Sequence, residues 1–303
     1  MLKPLIELTV AGALWGFAFT ATMWTLAGLD APGILIYRFL GAAFFGLVPL
    51  FLFARTREGL WQKIKDEGRI AWIPGIMLFA TLALQTFGLL WTTATKSAFI
   101  TTMYVIIVPI VSHFTRQDRT RPRHALWVFL ALVGLALFQD LHWENWNFGD
   151  TLTVGAAFAA MAHILVLAKY APLSKSPYIL NLWQLFWTGA LAIFLIPLGP
   201  RMDLGALNSL GIFGMVTLIF GSGLLAFYLQ IRAQEKLPPN LVSLIFLLES
   251  PFSALFAFLL LGERFSGMQW AGGFLILAAC AAAVISRESI KPEHATPFVA
   301  KAD

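Results

Sequence analysis

The sequence predicts an all-α polytopic membrane protein: ten transmembrane helices, arranged as two inverted five-helix repeats in an N-in/C-in topology. Composition, the spacing of apolar runs and the placement of basic residues carry this expectation. Hydrophobic residues make up 59% of the chain and charged residues 12%, against roughly a quarter charged in a soluble domain. With a mean hydropathy of +0.77, too little polar surface remains to cover a water-soluble globule of this size. The single cysteine, Cys280, lies in an apolar run, so an internal disulfide is excluded.

The elements follow from bilayer dimensions. A hydrocarbon core about 30 Å thick needs about 20 apolar residues of helix. Ten segments meet or approach that length: 4–28, 32–54, 70–92, 97–115, 124–140, 149–169, 177–199, 208–232, 239–261 and 267–286. None alternates as a barrel strand would, so helices must satisfy the backbone groups in lipid. With the N-terminus inside, the cytoplasmic segments hold 17 Lys and Arg residues and the outer loops three, Lys96, Arg201 and Arg264. Such an excess marks the cytoplasmic side. Arg38 falls within the second span. The net charge of +5 is therefore topological, and no nucleic-acid partner is expected.

The outer loop DLHWENWNFGD (140–150) is acidic and aromatic, as befits the opposite face. In the loop 55–69, Leu60, Trp61 and Ile64 share one helical face among charges, which predicts a short amphipathic helix on the cytoplasmic interface. Trp24, Trp72, Trp91, Trp143, Trp146 and Trp270 read as interfacial belt residues. The first apolar stretch is of full span length without a cleavage pattern, so a cleavable signal peptide is not expected. The polar tail 287–303 reads as disordered.

The two halves, 1–140 and 141–286, can be laid over each other. GALWGFAFT (12–20) matches GAAFAAMAH (155–163), and PGILIYR (32–38) matches PYILNLW (177–183). SAFITTMYVIIVPIVS (97–112) matches PNLVSLIFLLESPFSA (239–254), pairing Thr101 with Ser243, Tyr104 with Phe246 and Pro109 with Pro251. Five helices is an odd number, so the second half enters the bilayer from the opposite side. Inverted repeats of this kind are a transporter architecture, with sites near the midplane where Pro or Gly interrupts helices. Pro109 and Pro251 are the hinge candidates, and GSGL (221–224) is a further interruption.

Two stretches carry a family resemblance: GALWGFAFTATMW near the start and LESPFSALFAFLLLGERFSGMQWAGGFLIL (248–277) near the end. They resemble the drug/metabolite transporter superfamily, specifically its EamA-type ten-helix members. The closing pattern is Glu249, then Leu261-Gly262-Glu263, Gln269 and the pair Gly272-Gly273. In the first half HFTRQDRTRPRH (113–124) stands where LGE would be. The resemblance implies a multi-pass exporter of metabolites in the bacterial cytoplasmic (inner) membrane, working by alternating access, with aromatic amino-acid exporters as the nearest likeness.

Ionisable groups inside spans cost about 2.5 kcal/mol or more at the helix centre and mark functional candidates. Glu249 lies halfway along the ninth span, Arg38 six residues into the second, His163 mid-span in the sixth and Glu7 near the cytoplasmic end of the first. For each a bland reading stands beside the functional one. Glu7 and Arg38 can reach the headgroups along their stems, His163 can be a neutral packing residue, and Glu249 can be a carboxyl that locks two helices. Trp183 and Trp187, at i and i+4, share one face of the seventh span. Together with Trp15, Tyr104, Tyr228, Gln85 and Gln230 they are the candidate walls of a cavity for an amphipathic small molecule. The alternative is that such aromatics face lipid.

The predicted function is export of amino acids, the best fit being aromatic or other hydrophobic ones. Glu249 would meet the ammonium, and Arg38 or a broken-helix N-terminus the carboxylate. Proton coupling through Glu249 or His163 and facilitated diffusion both stay open. A multidrug or cationic-compound exporter is the alternative. The distant alternative is a membrane-embedded acyltransferase, from His113 and Asp118 at His-x4-Asp spacing. No P-loop, zinc-ligand spacing or Gly-x-Ser-x-Gly occurs, so catalytic residues, metals and cofactors are not expected. The partners are a small-molecule substrate and the lipid bilayer.

Overall fold

The computed structural model describes residues 2–53, 59–117, 122–139, 146–199, 201–260, 262 and 264–288. Among them no strand occurs. In the first half lie α1 (Leu2–Leu26), α2 (Ala31–Phe53), α3 (Leu60–Gly88), α4 (Ala94–Thr102), α5 (Tyr104–Phe114) and α6 (Pro122–Gln139). The second half contains α7 (Phe148–Tyr170), α8 (Pro177–Ala192), α9 (Ser209–Val216), α10 (Phe227–Gln234), α11 (Pro239–Phe246), α12 (Glu249–Leu260) and α13 (Gly267–Glu288). Between α9 and α10 the chain continues as a π-helix, Thr217–Ala226.

Among the described residues, eight segments are long and apolar enough to cross a bilayer, where the sequence reading counts ten. The apolar parts of α6 (Ala125–Leu137) and α13 (Gly267–Ala283) are shorter. A second difference concerns the interfacial helix. The structure runs Leu60–Gly88 as one helix, because nothing but Gly68 interrupts the pattern before Ile70. Within it, Trp61 is exposed and Ile64 offers its carbonyl oxygen to the Trp183 indole N–H at 2.8 Å. The residues 289–303 of the tail, Trp143 and most of the acidic outer loop, and Leu261 and Glu263 of the LGE step lie outside the described residues.

The interruptions have identifiable causes. Proline lacks the N–H that would bond the carbonyl four residues back, and its ring crowds that carbonyl. Upstream of Pro109 the chain tightens into i→i+3 bonds, Met103 N–H to Ile100 O at 3.2 Å and Ile106 N–H to Met103 O at 3.0 Å. Upstream of Pro251 the same happens, with Leu247 N–H on Leu244 O, Leu248 N–H on Ile245 O and Ser250 N–H on Leu247 O. The fourth and ninth spans are thus each two helices joined at a break. Glu249 is consequently the first residue of α12 rather than a mid-helix intruder.

Packing respects the repeat. α1 packs on α9, α10 and α12, while its counterpart α7 packs on α3, α4 and α5. The pairs α2–α8 and α6–α13 join equivalent elements across the halves, and the broken fourth and ninth spans pair crosswise, α4 with α12 and α5 with α11. Among the described residues, four ion pairs also bridge the halves. At the end rich in basic residues, Arg232 meets Glu7 at 2.9 Å and Lys175 meets Asp66 at 2.9 Å. At the opposite end, Arg201 meets Asp30 at 2.7 Å and Lys96 meets Asp150 at 2.6 Å. Glu7 therefore serves as a partner to Arg232 rather than extending to the surface.

Candidate functional site

At the junction of the halves, α1, α2, α3, α7 and α10 surround about 610 Å³ of atom-free space, open solvent included, together with both helix breaks. The breaks deliver Tyr104, the first residue of α5, Phe246, the last of α11, and Glu249, the first of α12. Ridges at helical spacing supply the rest: Trp15, Ala18, Phe19 and Thr22 from α1, and Leu78, Thr81, Leu82 and Gln85 from α3. The remaining polar lining is Arg38, Thr101, His163 and Gln230.

Glu249 is 6% exposed and Arg38 3%. No ion pair among the described residues joins them to each other or to another charge. Arg38 Nε has no hydrogen-bond partner, and the guanidinium carbon lies 4.9 Å from the centre of the Phe39 ring. Glu249 sits at a helix N-terminus, where free N–H groups and the helix dipole favour a carboxylate. Its position depends on Gly16: a Cβ there would lie 2.7 Å from Ser253 N and 2.9 Å from Glu249 O. α1 and α12 meet backbone to backbone.

The aromatic wall is built on Trp15. Its ring centre lies 4.9 Å from those of both Phe227 and Phe246, tilted on one and edge-on to the other. The Trp15 indole N–H donates to Ser222 O at 3.3 Å. That carbonyl and Leu224 O, which accepts from Asn181 Nδ2 at 2.9 Å, belong to the π-helix. The wider turn leaves carbonyls for neighbouring helices to take. His163 Nε2 meets Gln184 Oε1 at 3.2 Å, and its ring stands edge-on to Phe227.

Seven of the ten residues named from the sequence for a substrate cavity therefore share this one: Trp15, Arg38, Gln85, Tyr104, His163, Gln230 and Glu249. Three do not line it. Trp183 lines a separate, apolar lateral groove with Leu40, Phe44 and Phe186, its N–H held by Ile64 O. Trp187 packs against Gly75, whose missing side chain makes room for it. Tyr228 stacks edge-on to Tyr178 beneath the Arg232 guanidinium. Helical phase separates them: Phe227 and Gln230 face the cavity, so Tyr228 points elsewhere. Pro109 and Pro251 lie beyond the breaks and do not line the cavity.

The sequence reading missed Thr22, Thr81, Phe19, Phe227 and Phe246 as lining residues. The signal for the first two was present, as polar residues three or four positions from cavity residues on the same helix. Of the acyltransferase pair, His113 is an exposed residue near the end of α5, and Asp118 lies outside the described residues. Among the described residues, no three His, Cys, Asp or Glu side chains gather as a metal site.

Comparison with known proteins places this architecture. The model of the EamA-like transporter family matches twice, over residues 3–139 and 147–285. An uncharacterized transporter of Archaeoglobus fulgidus is 30% identical over 275 residues, covering 90% of this chain and 83% of the relative. A solved crystal structure superimposes with a TM-score of 0.73 at 16% identity, over 93% of this chain and 98% of that one; it is similar in fold. An all-helical chain of two repeats, matched in both, belongs to the EamA-like transporter family, and it is a membrane transporter.

Proposed function

We propose that this protein exports amino acids, aromatic and other hydrophobic ones fitting best, by alternating access across the bacterial inner membrane. One observation carries the reading: a buried carboxylate and a buried guanidinium, unpaired with each other, line a single aromatic-walled cavity. An unpaired ion inside protein costs several kcal/mol, so two of opposite sign facing the same space call for a ligand that neutralises both. A zwitterion does so. Its ammonium meets Glu249, its carboxylate meets Arg38 through the two-pronged geometry guanidinium offers, and its side chain rests on Trp15, Phe227 and Phe246.

The broken helices and the π-helix supply places where the halves can rock without breaking regular hydrogen-bond ladders. Ion pairs at both ends join the halves, and alternating access requires each set to open in turn. The N-in/C-in orientation rests on the seventeen-to-three placement of basic residues. Reporter fusions after residues 54 and 200 test it, expected to report the cytoplasm and the outside respectively.

A cationic-compound exporter would use Glu249 and the aromatics, but the unpaired Arg38 in the same cavity repels a ligand that is only cationic. Counterflow in proteoliposomes decides between the two. Labelled phenylalanine is expected to accumulate against trapped unlabelled phenylalanine. Glu249→Gln and Arg38→Met should each lower it about tenfold or more, the loss of one charged hydrogen bond of about 1.5–3 kcal/mol, with folded yield unchanged. Counterflow of cationic dyes but of no amino acid would refute the proposal.

A further inference from the structure

The cavity's neutral polar groups have fixed hydrogen-bond polarity. A backbone carbonyl can only accept, so Ile164 O must receive an N–H from Gln234 Nε2, at 2.9 Å. That leaves Gln234 Oε1 as acceptor for Gln230 Nε2, at 2.8 Å. Gln230 Oε1 is then the end of the relay. The residue is 1% exposed, lines the cavity, and this oxygen is buried with no partner.

A second relay starts on the π-helix. Leu224 O receives Asn181 Nδ2 at 2.9 Å, Asn181 Oδ1 receives Gln184 Nε2 at 2.9 Å, and Gln184 Oε1 must receive a proton from His163 Nε2 at 3.2 Å. His163 is thereby held with the proton on Nε2. Its Nδ1 makes no hydrogen bond to the described residues and presents a lone pair. A third, shorter relay runs from Ser97 O through the Thr101 hydroxyl to Gln85 Nε2 and leaves Gln85 Oε1 over. The hydroxyls of Thr22 and Thr81 donate to Ala18 O and Met77 O of their own helices.

We infer that Gln230 and His163 are ligand acceptors, and that with Glu249 they select a cation bearing N–H donors, a primary ammonium, over a quaternary ammonium of the same shape. A quaternary nitrogen satisfies the charge of Glu249 but leaves Gln230 Oε1 buried and unpaired and offers no proton to His163 Nδ1, the arrangement by which a polar site rejects an analogue lacking a donor. The inference deepens the amino-acid reading at its amine end and does not need the carboxylate.

Titration calorimetry of the purified full-length protein tests it with two matched pairs. These are L-phenylalanine with its N,N,N-trimethyl betaine, and phenethylamine with phenethyltrimethylammonium. The primary amine of each pair is expected to bind about tenfold tighter or more. Gln230→Leu should shrink that preference in both pairs, and Gln230→Met serves if the leucine variant folds poorly. Equal or tighter binding of the trimethyl forms, retention of the full preference in the Gln230 variants, or binding of none of the four would overturn the inference. Failure of the amino-acid reading shows separately: phenylalanine would bind no better than phenethylamine, and Arg38→Met would leave both unchanged.

Discussion

Gly12 and Gly16 stand one helical turn apart on α1, and both face the N-terminal turn of α12, yet they should differ sharply on substitution by alanine. At Gly16 the added Cβ would lie 2.7 Å from Ser253 N, 2.8 Å from Phe252 Cβ and 2.9 Å from Glu249 O. Ordinary contact begins at 3.4 Å, so the helices must part by 3.4 − 2.7 = 0.7 Å, and two of the three obstructing atoms are backbone that no rotamer change can move. Overpacking of this kind costs about 1–3 kcal/mol. The functional cost should be larger, because α12 carries Glu249, and a misplacement of about 1 Å at a working group can cost about a hundredfold. At Gly12 the nearest atoms to an added Cβ are Glu249 N at 3.7 Å and Leu248 Cβ at 3.9 Å, ordinary contact. Gly16→Ala should therefore melt below the parent and lose at least about tenfold in phenylalanine counterflow. Gly12→Ala should match the parent in both. Equal effects of the two alanines, or a Gly16→Ala protein with parental transport, would refute the argument that backbone approach positions the carboxylate.

Glu67 in α3 is 1% exposed and accepts from Ser174 Oγ at 3.0 Å, Lys175 N at 2.6 Å and Ser176 N at 2.9 Å, pinning the start of α8. Glu67→Ala removes the acceptor of three part-buried hydrogen bonds and should cost about 1–3 kcal/mol in chemical denaturation, whereas Glu67→Gln keeps one acceptor oxygen and should cost about half of that; equal losses would contradict the assignment. Asp30, outside the spans, is held below the usual carboxylate range by hydrogen bonds from the Arg201 side chain and backbone. A carboxylate with a depressed folded-state pKa contributes stability above its unfolded value and loses it as pH falls through the folded one. The stability difference between the parent and Asp30→Asn should thus be constant at neutral pH and shrink below about pH 4; a difference that grows on acidification would be the opposite sign. Cys280 is the only cysteine, buried, with its thiol on Leu244 O at 3.2 Å. A maleimide dye should label it only as the protein melts, and rapid labelling of the native protein would place α13 differently.

Much of this protein was legible in the sequence because bilayer dimensions leave few solutions. Apolar runs of span length can only be helices. The matched prolines were legible too, since proline's missing N–H acts within one turn, and both spans break just upstream of Pro109 and Pro251. Which side of a helix faces inward was harder. In a helix apolar on all sides no amphipathic stripe marks the core, so Trp183, Trp187 and Tyr228 looked as good as Trp15. Arg38 and Trp183 hold equivalent positions in the two repeats, yet one lines the cavity and the other a lateral groove.

By itself, then, the sequence determined a two-repeat helical transporter, because hydrophobic length, charge placement and proline are local and additive signals. The tertiary structure decided what depends on contact between distant segments. It set Arg38 and Glu249, 211 positions apart, on one cavity. It let Gly16 bring α1 against the break that carries Glu249, and it fixed through relays from backbone carbonyls which atoms of Gln230 and His163 are free. Hydrogen-bond polarity is a property of the whole chain of partners, and only the packed helices bring those partners together.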